Sequence, residues 1–138
     1  KGEKLQLTKE IWEETVPVIA DKIAKDHKII VTYQKVFLDN NQTFECAGNV
    51  ADNYFLFPNG RVYKCPLCED FPIHSYEFRE NTLKKIKGVR EEDLFNLDIP
   101  EGCVLNKIIQ PGNLRYSDTG EPEYKIACCM LKEEVSYT

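Results

Sequence analysis

Histidine is scarce in this chain, with His27 and His74 the two present, and tryptophan and methionine occur once each. Neither histidine sits in a recognisable nucleophile motif, and the sequence contains no glycine-rich phosphate loop and no zinc-protease helix. A self-contained hydrolase working through a reactive cysteine with His27 or His74 is therefore the last-ranked reading. No apolar run approaches the roughly 20 residues that cross a bilayer, and the opening KGEKLQLTKE lacks the hydrophobic segment of a signal peptide. No membrane role is expected, and the expected location is cytoplasmic. Basic charge is not in excess either: 18 Lys and Arg stand against 23 Asp and Glu, for a net charge of −5. Nucleic acid and anionic lipid both reward clustered cations, so neither is an expected partner. The one basic cluster, LKKIKGVR from Leu83 to Arg90, runs into Glu91, Glu92 and Asp93 and reads as the solvated end of a helix.

With 42% hydrophobic and 30% charged residues, the 138-residue chain carries enough apolar side chains for one domain with a real core. Thr8 is a natural N-cap, and Trp12, Val16, Ile19, Ala20 and Ile23 recur at helical spacing, predicting a helix from Thr8 to Ala24. Pro17 inside it predicts a kink near Thr15 or two shorter helices. HKIIVTYQKVFLD, rich in β-branched and aromatic residues, predicts a strand over Lys28–Leu38. PNG between NYFLF and RVYKC predicts a tight hairpin from Asn53 to Lys64. Helices are predicted over Glu77–Lys87, closed by Gly88, and over REEDLFNL; a second hairpin is predicted with its turn at Ser117–Pro122 and a buried strand over Tyr124–Leu131. The expected fold class is α+β: an N-terminal helix and strand, then a β-hairpin-based cysteine-rich module with short helices. Residues 1–40 read as the end of a preceding α/β unit and residues 41–138 as the cysteine-bearing module. The chain starts at Lys1 without a methionine and is expected to be a piece of a longer polypeptide.

The chemistry lies in the six cysteines. Three disulfides in an exported protein is one option, and Asn41-Gln42-Thr43 matches a glycosylation acceptor. That acceptor motif is common by chance, a core of this size needs no staples, and adjacent Cys128 and Cys129 are awkward to bridge without strain. A thiol-ligated metal or cluster is the preferred reading. Gly60 turns the chain between Cys46 and Cys65, bringing Cys46 back towards Cys65 and Cys68, and a Cys-x-x-Cys step lets two thiolates face one centre. Cys128 and Cys129, as neighbours in a strand, would face opposite sides, so one of them at least reads as core packing. His74 offers a nitrogen, although a lone histidine of this kind is more often a surface or packing residue. The irregular spacing leans from zinc towards an iron–sulfur cluster.

Cys46, thirteen residues, Gly60, four residues and Cys65, with FPNGRVYKC at its centre, resembles the first signature of the SPASM and twitch domains, auxiliary-cluster modules of radical SAM enzymes. The preceding LTKEIWEETVPVIADKIAKDHKIIVTYQ is similar in style to the last helix and strand of the radical SAM barrel. The dense second cysteine cluster of a full SPASM domain is missing, and Cys103 is followed at the next expected position by Asn106. The shorter twitch form, with one cluster, is the better match.

The resemblance implies one auxiliary 4Fe–4S cluster held by Cys46, Cys65 and Cys103, with Cys68 chosen as the fourth ligand and Cys128 or Cys129 as alternatives. It implies a radical SAM barrel of the same polypeptide as partner, with SAM and a second 4Fe–4S cluster bound there. The three-cysteine motif that holds the SAM cluster is absent from these residues, so the chain is expected to be a fragment of an oxidoreductase or maturase and not an enzyme by itself. The substrate, be it peptide, protein or small molecule, is not legible. The rival reading is a zinc-stabilised structural or interaction module using Cys46, Cys65, Cys68 and either Cys103 or His74.

Overall fold

Thr8 caps the first helix as its sequence suggests: its Oγ1 accepts from the Ile11 amide at 3.4 Å. The structure, a computed structural model, describes residues 5–138. Helix α1 (Lys9–His27) passes through Pro17 as one helix, where a break into two was one expectation. Ion pairs at i,i+4 flank the proline, Lys9–Glu13 at 2.9 Å and Asp21–Lys25 at 2.7 Å, each worth about 0.3–0.5 kcal/mol when exposed. Lys28 ends the helix in the left-handed region (φ 54°). Ala20 and Ala24 are the buried residues of α1, because small side chains let it lie close to the strands beneath, while Ile19 and Ile23 of the expected apolar face stand exposed.

The segment expected as one strand over Lys28–Leu38 forms two, β1 (Val31–Gln34) and β2 (Phe37–Leu38). Their partners lie near the C-terminus: β1 pairs antiparallel with β8 (Lys132–Val135), and β2 with β7 (Lys125–Ile126). Gln34 faces Lys132 and Phe37 faces Ile126, so two residues on one side oppose five on the other. Hydrogen bonds from Lys35 N to Leu131 O and from Ala127 N to Val36 O close the ladder around the surplus. The excess chain, Cys128 to Met130, loops out as a large bulge and closes in a turn from Leu131 N to Cys128 O at 2.9 Å. The strand expected over Tyr124–Leu131 is thereby reduced to β7.

The Asn53–Lys64 hairpin forms as expected, with β3 (Phe55–Leu56) against β4 (Arg61–Tyr63). Gly60 takes φ 83°, and a Cβ there would stand 2.8 Å from the Phe78 carbonyl oxygen, so glycine is required twice over. Short helix α2 (Ala47–Val50) precedes this hairpin. Two further strands extend the sheet to four: β5 (Tyr76–Arg79) and β6 (Thr82–Lys85), in the order β3-β4-β5-β6. This corrects the helix expected over Glu77–Lys87. Glu80 (φ 51°) and Asn81 (φ 58°) form a two-residue turn with both angles positive, the geometry that matches strand twist. The basic cluster is accordingly a strand and its exit loop, and Leu83 lies exposed on it.

The REEDLFNL segment carries helix α3 (Glu91–Phe95), and α4 (Val104–Ile109) follows. The turn at Ser117–Pro122 is present, closed by Ser117 N to Glu121 O at 2.8 Å. The described residues thus form a mixed α+β fold of small antiparallel sheets and mostly short helices. Its core joins Phe37, Tyr63, Phe95, Leu105, Tyr124 and Ile126 to Cys65, Cys68 and Cys103. No helix among the described residues is long and apolar enough to cross a membrane.

The β5–β6 turn provides a direct check. Replacing Glu80-Asn81 with Asn-Gly (Glu80→Asn with Asn81→Gly) suits a turn with two positive φ angles and is expected to stabilise the chain by about 0.5 kcal/mol in urea unfolding. In a helix the same pair would lower stability by roughly 0.5–1 kcal/mol.

Candidate metal centre

Cysteines begin turns throughout this structure. Cys46 is the residue before α2, Cys65 precedes a single 3-10 turn (Pro66–Cys68), Cys103 precedes α4, and Cys128 opens the bulge between β7 and β8. A residue at such a position is extended while the amides after it are free, so its side chain can accept from them. Cys103 does so fully, taking the Asn106 amide on Sγ at 3.4 Å. Cys46 and Cys65 make no such hydrogen bond, although the nearby amides of Gly48 and Leu67, and that of Met130 at Cys128, favour the ionised sulfur.

These turns meet. Cys128 interacts with Cys129, Cys46 and the Ala47 amide, all of which favour its ionised form. Ionisation in this trio therefore falls on Cys128, whose thiol is held far below its usual range, although burial opposes it. Cys46 and Cys129 are driven up, first by their bond to Cys128 and then by burial. Cys103 is pushed up to about 11 by burial, with the charges of Cys65 and Cys128 adding to it. Cys65 is raised by its bond to Cys68 and by burial. Cys103 is the link, within electrostatic reach of Cys46, Cys65, Cys128 and Cys129.

The surrounding elements fix each turn. Gly48 packs on the Phe95 ring so closely that a Cβ would stand 2.4 Å from it, which seats the Cys46 turn on α3. Cys103 N donates to Ile126 O at 3.1 Å and Ile126 N to Glu101 O at 2.9 Å, pinning the Cys103 turn to β7, two residues ahead of Cys128. Tyr63 is fully buried and its hydroxyl donates to the Phe71 carbonyl, holding down the loop that contains Cys65 and Cys68.

Glu91 is the feature that the sequence reading missed. It is wholly buried, and its Oε1 accepts from Lys64 N and from the Ser75 hydroxyl at 3.0 Å. Cys68 and the Cys65 amide also bear on this carboxylate, whose pKa is raised because burial outweighs these donors. In the run Arg90-Glu91-Glu92-Asp93 nothing marks one acid as internal. His74 is a packing residue: it is buried, its ring lies 5.8 Å from that of Tyr63, and its Nδ1 has no partner.

All six cysteines are free thiols. Among the described residues, no three His, Cys, Asp or Glu side chains converge on a point that would hold a single metal ion. Tetrahedral zinc with Zn–S bonds of about 2.3 Å needs its sulfurs roughly 3.8 Å apart. An iron–sulfur cluster takes one thiolate on each of several irons and so accepts a wider set. Buried and half-buried thiols from separate turns, one of them accepting a backbone amide, are a donor set of the kind such a cluster takes. Of the cysteines expected as ligands, Cys46 and Cys65 lie within electrostatic reach of Cys103, and Cys68 lies beside Cys65 and Glu91. Cys128 enters through the bulge, for which adjacent cysteines in a strand were the one available signal.

Compared with known proteins, the chain matches no family model, no curated protein and no solved structure.

Glu91→Ala is expected to destabilise the chain by about 2 kcal/mol or more in urea unfolding, because it strands the buried Lys64 amide and Ser75 hydroxyl. Glu91→Gln keeps an acceptor there and should cost less than half of that. Equal losses for the two variants would contradict an anchoring role.

Proposed function

We propose that this chain is the auxiliary-cluster module of a radical SAM enzyme, resembling the twitch form, and that it binds one 4Fe–4S cluster through Cys46, Cys65, Cys103 and Cys128. The observation that carries this reading is the gathering of thiols from four separate turns, Cys65 and Cys103 in the buried core with Cys46 packed against it, and the Cys103 sulfur accepting the Asn106 amide. Cysteines that serve as packing have no need of such donors. Cys128 is preferred to Cys68 as the fourth ligand because it interacts with both Cys46 and Cys103, whereas Cys68 is engaged by Cys65 and Glu91.

With four protein thiolates a cluster has no open iron, and the chemistry it supplies is one-electron transfer. The protein's part is to exclude water, to supply amide hydrogens to sulfur, and to keep Lys64 and Cys65 in register through Glu91. Ile11, Val18, Ile19, Ile29 and Ile30 are exposed on and just after α1. This apolar surface supports a preceding barrel of the same polypeptide packing there.

Anaerobic reconstitution with iron and sulfide tests the assignment. Cys46→Ser, Cys65→Ser, Cys103→Ser and Cys128→Ser should each lose most of the bound iron, sulfide and visible absorption. Cys68→Ser and Cys129→Ser should keep most of them. Full retention in the Cys65 variant would overturn the reading, and a colourless parent that holds one zinc would favour the structural-zinc alternative. Unfolding midpoints should fall in step with lost iron, since ligand-binding energy is folding energy in a module of this kind.

A further inference from the structure

The basic cluster that precedes Glu91 contributes no thiol and stands outside the proposed centre. It begins on β6, the last strand in the order β3-β4-β5-β6, so β6 is an edge of that sheet. Register decides which of its backbone groups are free. Phe78 N donates to Gly60 O at 2.7 Å and so faces β4, which leaves Glu77 and Arg79 to bond with their partners Lys84 and Thr82 on β6. Ile86 N continues this ladder by donating to Ser75 O at 3.0 Å. The N–H and C=O groups of Leu83 and Lys85 alternate with these and therefore point away from the sheet, where no strand among the described residues pairs with them.

The side chains along this edge are of two kinds. Leu83 is 49% exposed and stands directly opposite Phe78, itself 41% exposed, so an apolar pair lies open beside the unpaired backbone groups. Lys84, Lys85 and Lys87 surround it. Lys85 reaches Glu92 at 3.5 Å, whereas Lys84 and Lys87 have no acidic partner among the described residues. Glu77, which faces Lys84 across the hairpin, pairs with Arg79 at 2.6 Å instead. Free cations, open backbone bonds and an apolar contact on one edge of a chain with net charge −5 are complementary to an extended acidic segment. A strand laid along β6 would set an apolar side chain beside Leu83 and carboxylates beside Lys84 and Lys85.

We propose that β6 is a docking edge for an acidic, extended segment of a partner protein, which joins the sheet as a fifth strand. None of the cysteines belongs to this edge, and its use does not depend on a cluster being bound.

A palindromic probe pairs equally in either strand direction: the capped hexapeptide Thr-Val-Glu-Glu-Val-Thr. Its controls are Thr-Val-Lys-Lys-Val-Thr and the glutamate peptide N-methylated at every residue, which keeps charge and side chains but has no backbone donors. In NMR of the full chain, before and after iron–sulfur reconstitution, the glutamate peptide should shift the Leu83 and Lys85 amides saturably and slow their exchange with solvent. Both controls should bind about tenfold or more weakly. Leu83→Pro removes one outward N–H and keeps the bonds to β5, so it should abolish the response at Lys85 with little change in the unfolding midpoint. Lys84→Glu with Lys87→Glu should turn the preference towards the lysine peptide. Equal binding of the N-methylated peptide would reduce the edge to a charged patch and overturn the proposal. No shift with any peptide would leave the lysines as guards against strand pairing and overturn it as well. Self-association of the chain that is lost in Leu83→Pro, followed by sedimentation, would assign the edge to a second copy and also overturn it. Failure to take up iron would leave these readings unaffected, which keeps this test apart from that of the cluster.

Discussion

The centre of this fold is sulfur. Cys65, Cys68 and Cys103 lie among the buried core residues, with Cys46 packed against them, and the elements around them are very short. Strands of two to four residues and helices of three to six, as in every described element after α1, have little stability of their own. What orders them is convergence: turns that start at Cys46, Cys65, Cys103 and Cys128 all close on one region, held by the Gly48–Phe95 contact, the Cys103–Ile126 bond and the buried Glu91. Crowding and burial raise the proton affinity of Cys46, Cys65 and Cys103, whereas Cys128, beside Cys46 and Cys129, is held low. A cluster bound as proposed would take these thiols as thiolates, and its binding energy would add to the stability of the fold.

Much of this was legible in the sequence, and the reasons differ by element. The β3–β4 hairpin follows from Pro58-Asn59-Gly60, whose local chemistry admits few other turns, and Thr8 and the apolar spacing after it suffice for α1. The segment Tyr76–Lys85 misled because its charged residues and the glycine at Gly88 suit an exposed helix with a C-cap as readily as a hairpin. Two residues at positive φ, neither of them glycine, decide the matter, and Glu80 gives little local sign of it. The three-residue excess between β7 and β8 was hidden for another reason. A register shift is a property of two strands together, and β1–β2 lies some ninety residues away from its partner. Glu91 was invisible because charge runs are ordinarily solvated, and only the third dimension shows which acid turns inward.

The bulge also separates two neighbourhoods. Cys128 turns towards Cys46 and Cys103, while Cys129 lines a cavity shared with Trp12, Asn106 and Asn113. Asn106 belongs to both neighbourhoods: its backbone amide bonds the Cys103 sulfur, and the residue is part of that cavity's lining.

The central claim, that these thiols hold a four-iron cluster, is most directly tested by Mössbauer spectroscopy of the chain after anaerobic reconstitution. The account predicts a spectrum of valence-delocalised iron pairs of a 4Fe–4S cluster, accompanied by broad visible absorption that bleaches on reduction. Iron present only as isolated high-spin ions, or washed away to leave a colourless folded protein, would contradict it.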